Sequence, residues 1–308
     1  MLPIGPKWMQ LNSTAGPMGM SIFFTLSGFL ITSALLRRAD ALSFFVKRLF
    51  RIVPLAFLGS TLILFLQQAP FHAYVPMWLF YYNYTPGVEG IKHVSHFWSL
   101  CVEVHFYILI GLVVAMAGRS GLCLLPFAGL LVTYLRIREG VYLNNNHLRM
   151  DEILAGASLA LIAEGELGRN LSRMKGWIRN VPLSLALLVF AASCHPQSGW
   201  AQYFRPYAGA IAVGMTLSST GRTQLLLKSW PLRYIAEISY ALYIIHPASM
   251  MGWLGSGETL ERYMKRPLSF GITFCLAHMS TYYFERPCTG FGRLLVERWT
   301  EVAKRHRR

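Results

Sequence analysis

The chain has 308 residues, 54% of them hydrophobic and only 14% charged, which excludes an ordinary soluble domain. Its apolar residues come in blocks long enough to cross a bilayer, which takes roughly 17–25 residues as helix, so the composition implies an all-α, polytopic transmembrane bundle. The net charge of +15 would suggest nucleic acid in a soluble protein; here the basic residues lie mostly between apolar blocks, where they set membrane orientation, and no nucleic-acid partner is expected.

The start, "MLPIGPKWMQLNSTAGP", has no continuous apolar core and is not read as a cleavable signal. Nine spans are expected, near 17–36, 52–69, 97–117, 121–135, 150–165, 181–195, 206–220, 234–255 and 267–284. The aromatic stretch 72–84 is short, contains Pro76, and is placed at the interface or in a re-entrant loop. With the first loop inside, the inner segments carry 20 of the 29 Lys and Arg residues and the outer segments 9. That bias puts the amino terminus outside and the carboxyl terminus in the cytoplasm. Residues 1–295 are read as one transmembrane domain and 296–308 as a basic cytoplasmic tail. The cysteines, Cys101, Cys123, Cys194, Cys275 and Cys288, are scattered without a CxxC, favouring neither a disulfide framework nor a zinc site.

The chemistry-bearing residues follow in chain order. "FTLSGF" at 24–29 lacks the GxSxG spacing of a nucleophile elbow, and Ser27 lies in a span. "FFVKRLFRIVP" at 44–54 sets Arg48 and Arg51 one turn apart at the entrance to the second span, with Pro54 in that helix's first turn. Two guanidinium forks beside a helix amino terminus suit phosphate; plain positive-inside anchoring is the alternative. His93 and His96 form an HxxH without a second pair nearby, so no metal is expected.

"FWSLCVEVHFYILI" at 97–110 buries a carboxylate and an imidazole in an apolar run. At 100° per residue, His96, Glu103 and Tyr107 share a stripe with Ser99 beside it, whereas His105 lies about 200° from Glu103. Glu103 and His96 are therefore candidate acid/base or substrate-orienting groups, because burial raises a carboxylate's pKa toward neutrality. A structural polar cluster is the alternative. "HLRMDEILAGASLA" at 147–160 offers Arg149 and Asp151 as a pair at a cavity entrance, and Gly156 and Ala157 permit close helix approach. "EISYALYIIHP" at 237–247 puts Ser239, Tyr243 and His246 on one helix face. That face lines a polar cavity or forms a hydrogen-bonded seam. "YYFERP" at 282–287 is read as a structural terminator of the last span.

Taken in order, "FFTLSGFLITSALLRR", "FVKRLFRIVPL", "SHFWSLCVEVHFYIL", "RMDEILAG", "ISYALYIIHP" and "YYFERP" resemble acyltransferase family 3, the integral-membrane O-acyltransferases that include O-antigen acetylases. The resemblance covers about residues 17–295. It implies a ten-helix membrane domain that moves acyl groups, often acetyl from acetyl-CoA, onto hydroxyls of extracytoplasmic or lipid-linked carbohydrates, in the inner membrane and with no permanently bound cofactor. It also implies that Arg48 and Arg51 match the family's donor-side RxxR and that Glu103 matches the first Glu of its "WSLSVEEQFY"-like segment. This chain departs in having Val104 and His105 where the family has Glu and Gln. The family's leading span, with an Arg or Lys and a His eleven positions on, has no counterpart before "GMSIFFTLSGF". Restoring it would turn nine spans into ten, so a late start or a truncation is expected. A transporter or flippase of a polar or lipid-linked solute, or an inactive truncated relative, is the alternative reading.

Overall fold

The computed structural model describes residues 11–85, 91, 93–140, 147–167, 182–217 and 219–305. The chain's first ten residues, most of the basic loop 166–180 and the last residues of the predicted tail lie outside them. The described residues are helical, with no strand among them, as the composition implies. They run as α1 (Leu11–Arg37), α2 (Ala41–Leu66), the short α3 (Tyr74–Trp78), α4 (Phe97–Ala117), α5 (Leu125–Arg138), α6 (Met150–Glu164), α7 (Leu183–Cys194), α8 (Arg205–Leu217), α9 (Gly221–Leu227), α10 (Trp230–Ile245), α11 (Thr259–Ser280) and α12 (Arg286–Arg305). Among the described residues, three stretches are each long and apolar enough to cross a membrane: Ser13–Arg37, Ala41–Leu66 and Phe97–Arg138. The third contains α4 and α5, and α7 is apolar but shorter. The other predicted segments form helices too, but are shorter or more charged. Large apolar side chains stay outside, with Phe65 70% and Met116 86% exposed, as befits a molecule whose solvent is hydrocarbon.

The chain divides into two compact units, one of Met1–Ala41 with Val102–Leu225, the other of Leu42–Cys101 with Leu226–Arg308. The first unit is built around α6, which is buried almost all round. Its contact with α1 is backbone on backbone. A Cβ on Gly28 would stand 1.9 Å from the Ile153 carbonyl oxygen, and one on Gly156 would stand 2.0 Å from that of Thr25. The predicted close approach at Gly156 is thus met by a second glycine on the facing helix. A smaller apolar cluster joins α7 to α8 through Phe190, Cys194, Ala212 and Met215.

In the second unit, Tyr240 of α10 donates to the Ile52 carbonyl of α2 at 2.6 Å. Residues 71–84 fold into short helical turns. Trp78 lies against Phe57 at 4.9 Å between ring centroids and donates its indole N–H to Thr61 at 2.9 Å. Two expectations need correction here. α2 begins at Ala41, so Pro54 lies inside the helix and not in its first turn. The "FERP" stretch does not end the last helix: residues Thr281–Glu285 form a π turn that leads directly into α12. Pro287 cannot donate to a carbonyl one turn back, and the wider turn ahead of it lets the chain remain helical. α12 runs through the predicted tail boundary, and Phe291 packs edge-on against Phe50 with centroids 5.4 Å apart.

Candidate functional site

Glu103 projects from α4 inside the first unit and is 6% exposed. Its Oε1 accepts a hydrogen bond from the Ser27 hydroxyl of α1 at 2.6 Å and another from the Tyr107 hydroxyl, one turn along its own helix. Periodicity predicted the Tyr107 partnership. Ser27 was passed over because its surroundings are not a nucleophile elbow; it is one of several hydroxyls in the same apolar run, and nothing local singles it out. A buried carboxylate that keeps two hydroxyl donors is oriented and solvated by the protein.

At the start of α6, the arginine and acids pair differently from the sequence expectation. Arg149 does not pair with Asp151. It forks onto Glu152, with Nε 3.2 Å and Nη2 2.9 Å from Oε1. Asp151 takes Arg136 of α5, Nη1 to Oδ2 at 2.5 Å, and the Thr133 hydroxyl at 3.2 Å. Arg205, the first residue of α8, reaches Glu152 at 2.8 Å through Nε. The three arginines and two carboxylates are all at most 3% exposed. The reason is geometric: i and i+2 on a helix point apart, while i and i+3 meet. Arg136 and Arg205 were missed because their partners lie 15 and 53 residues away. Their only sequence signal was an arginine immediately beside a predicted span.

His96 belongs to the second unit, where its ring lies 5.3 Å from Tyr243 and 5.2 Å from His246, centroid to centroid. Tyr243 donates to the His96 carbonyl and stands 2.5 Å from the Ser99 hydroxyl. The His246 Nδ1 pairs with the Tyr243 carbonyl at 2.8 Å. Burial, and secondly the neighbouring His246, push the pKa of His96, one residue ahead of its span, down to about 3. Ser239 does not join this group: it is exposed and bonds the Ala236 carbonyl of its own helix at 2.8 Å. Glu103 and His96, predicted to act together, thus have separate sets of partners in separate units.

Arg48 and Arg51 sit one turn apart on α2, but within the helix and not at its amino terminus, because α2 starts at Ala41. The free backbone N–H groups of a helix start are therefore not beside them. Arg48 lies 5.8 Å from the centre of the Phe44 ring, and Arg51 is exposed and acts electrostatically on Glu285.

The acyltransferase-3 family model, described as an acyltransferase domain, matches residues 3–283. Nodulation protein 10 of Rhizobium leguminosarum bv. viciae is 24% identical over 356 residues, covering 98% of this chain and 89% of that protein. YrhL of Bacillus subtilis (strain 168), whose name describes a peptidoglycan O-acetyltransferase, is 25% identical over 321 residues, covering 89% of this chain and 51% of its own. ORF330 of Acidianus two-tailed virus, named as an acetyltransferase, is 31% identical over 101 residues, 32% of this chain and 31% of that protein. No solved structure matches the chain.

Proposed function

Because the chain belongs to the acyltransferase-3 family of membrane acyltransferases, we propose that it moves an acyl group, acetyl foremost, from acyl-CoA to a hydroxyl of a cell-surface or lipid-linked carbohydrate. The membrane is the bacterial inner membrane, with the carboxyl terminus in the cytoplasm. The observation that carries this reading is the buried Glu103 carboxylate, held by Ser27 and Tyr107. Such a group takes the proton of the acceptor hydroxyl as its oxygen attacks the thioester carbonyl. The C–O ester bond forms, the C–S bond breaks, and the departing CoA thiolate receives the proton. Ser27 and Tyr107 keep the carboxylate oriented through the step. Arg48 and Arg51 serve the donor, as two cations one turn apart that suit the phosphates of CoA. The name of the Bacillus relative supports acetyl as the group and a glycan hydroxyl as the acceptor.

The test is acetyl transfer from labelled acetyl-CoA by the purified protein, with released CoA counted alongside. Replacing Arg48 and Arg51 together by Ala weakens acetyl-CoA binding and leaves membrane insertion intact. Unchanged binding removes the donor role, and a Glu103→Gln protein of full activity removes the base.

A further inference from the structure

The second unit contains a cavity of about 590 Å³ that the reaction above does not use. One wall is a single face of α11: Arg262, Arg266, Ser269, Phe270, Thr273 and Phe274. These residues recur at helical spacing, so the face changes from cationic to aromatic over about 18 Å of helix. Neither arginine has an ion-pair partner among the described residues; Arg266 rests on the Tyr263 ring at 3.8 Å. The nearest acid on the helix, Glu261, is engaged elsewhere. Lys265 binds it at 2.6 Å and holds its carboxyl below the usual range. Leu242 of α10 and Met250 add to the apolar lining.

The rim of this cavity is built. Lys265 donates to the carbonyls of Trp253 and Ser256 at 3.1 and 3.3 Å, pinning the loop that bears Leu254 and Gly255. A Cβ on Gly255 would fall 1.8 Å from the Met250 carbonyl oxygen, so only glycine fits there. A shallower, more polar depression of about 380 Å³ adjoins it through His93, Met250 and Gly255, with Gln67 and Ser256 in its lining. His93, shared by both, has a φ of +63°, a backbone region that a histidine seldom occupies. A half-open apolar groove, two guanidinium groups without an ion-pair partner among the described residues and a polar annex match the parts of one kind of molecule. We propose that this cavity binds a phosphate-headed lipid, its chain along Phe270 and Phe274 and its phosphate at Arg262 and Arg266. That this lipid carries the carbohydrate acceptor rests on the reaction proposed above; the binding does not.

The experiment is equilibrium binding to the purified full chain in detergent, with isoprenyl phosphate and phosphatidic acid as probes and isoprenol and diacylglycerol as their neutral counterparts. A phosphate-headed probe binds at least about tenfold more tightly than its neutral counterpart, and Arg262→Gln with Arg266→Gln removes about that factor. Ser269→Trp, which fills the cavity, weakens both phosphate probes at an unchanged size-exclusion profile. The better of the two probes identifies the lipid as an isoprenyl carrier or a bilayer phospholipid. Equal binding of neutral lipids, or full affinity in the double arginine variant, overturns the site. Because no turnover is measured, a protein that binds lipid but transfers no acyl group overturns the reaction alone.

Discussion

Glu103 and His105 are two residues apart on α4, and their substitutions separate. Glu103→Gln keeps size and hydrogen bonding but removes the base, so acetyl transfer falls by about 10²-fold or more with little loss of folded yield. His105→Gln leaves activity within about tenfold, at a stability change of roughly 0.5–3 kcal/mol. Equal losses at equal folded yield would remove Glu103's special role, and a misfolded Glu103→Gln would make the Ser27–Glu103–Tyr107 group a structural one. His96 supplies a different signature. Its folded pKa of about 3 lies below the unfolded value near 6.5, so folding requires the neutral ring. Its contribution is complete above about pH 6.5 and is lost as pH falls toward 3, amounting to about 2 kcal/mol by pH 5. Thermal unfolding in detergent at pH 7.5 and 5 reads this slope, and His96→Gln flattens it. A slope that survives the substitution assigns it to another group.

At the scale of helices, what could be read from the sequence was whatever obeys local periodicity. Glu103 with Tyr107, and Tyr243 with His246, are near neighbours on their helices and were legible. The pairings of Asp151 with Arg136 and Glu152 with Arg205 join different helices, and no spacing reveals them. Helix ends were misread where a proline was taken as a boundary, at Pro54 and at Pro287. The α1–α6 crossing tests how far packing governs the first unit. Gly156→Ala drives a Cβ into the Thr25 carbonyl, and since both atoms belong to backbone the helices must part, at a cost of at least about 1–3 kcal/mol. Gly271→Ala, where a Cβ meets nothing within 4 Å, is neutral or stabilising by up to about 1 kcal/mol. Comparable melting temperatures for the two variants would show that the crossing is not tight. Arg205→Met leaves Glu152 with Arg149 alone and removes a buried charge-assisted hydrogen bond, destabilising by about 1.5–3 kcal/mol. Chemical unfolding of the variant at or near the parental midpoint would show the network to be dispensable.

For the whole molecule, the buried ion network changes how the charge bias is weighed. Of the nine basic residues in the outer segments, Arg136, Arg149 and Arg205 are buried against Asp151 and Glu152. Two carboxylates offset two of the three charges, and all three guanidinium groups are held inside the fold, away from the loop surface. Counting only the other basic residues gives 20 to 6, and the proposal that the carboxyl terminus is cytoplasmic rests on that bias. The same assignment puts the 256–266 segment, with Arg262 and Arg266, on the outer side. A single cysteine in place of Ser256 or of Arg222, both exposed, in a background without the native cysteines reads the orientation in intact cells. A membrane-impermeant thiol reagent labels Ser256→Cys from outside, and labels Arg222→Cys only after the membrane is opened. The reverse pattern would invert the molecule. It would move Arg48 and Arg51 away from the compartment that holds acyl-CoA, and the donor role assigned to them would fall with the orientation.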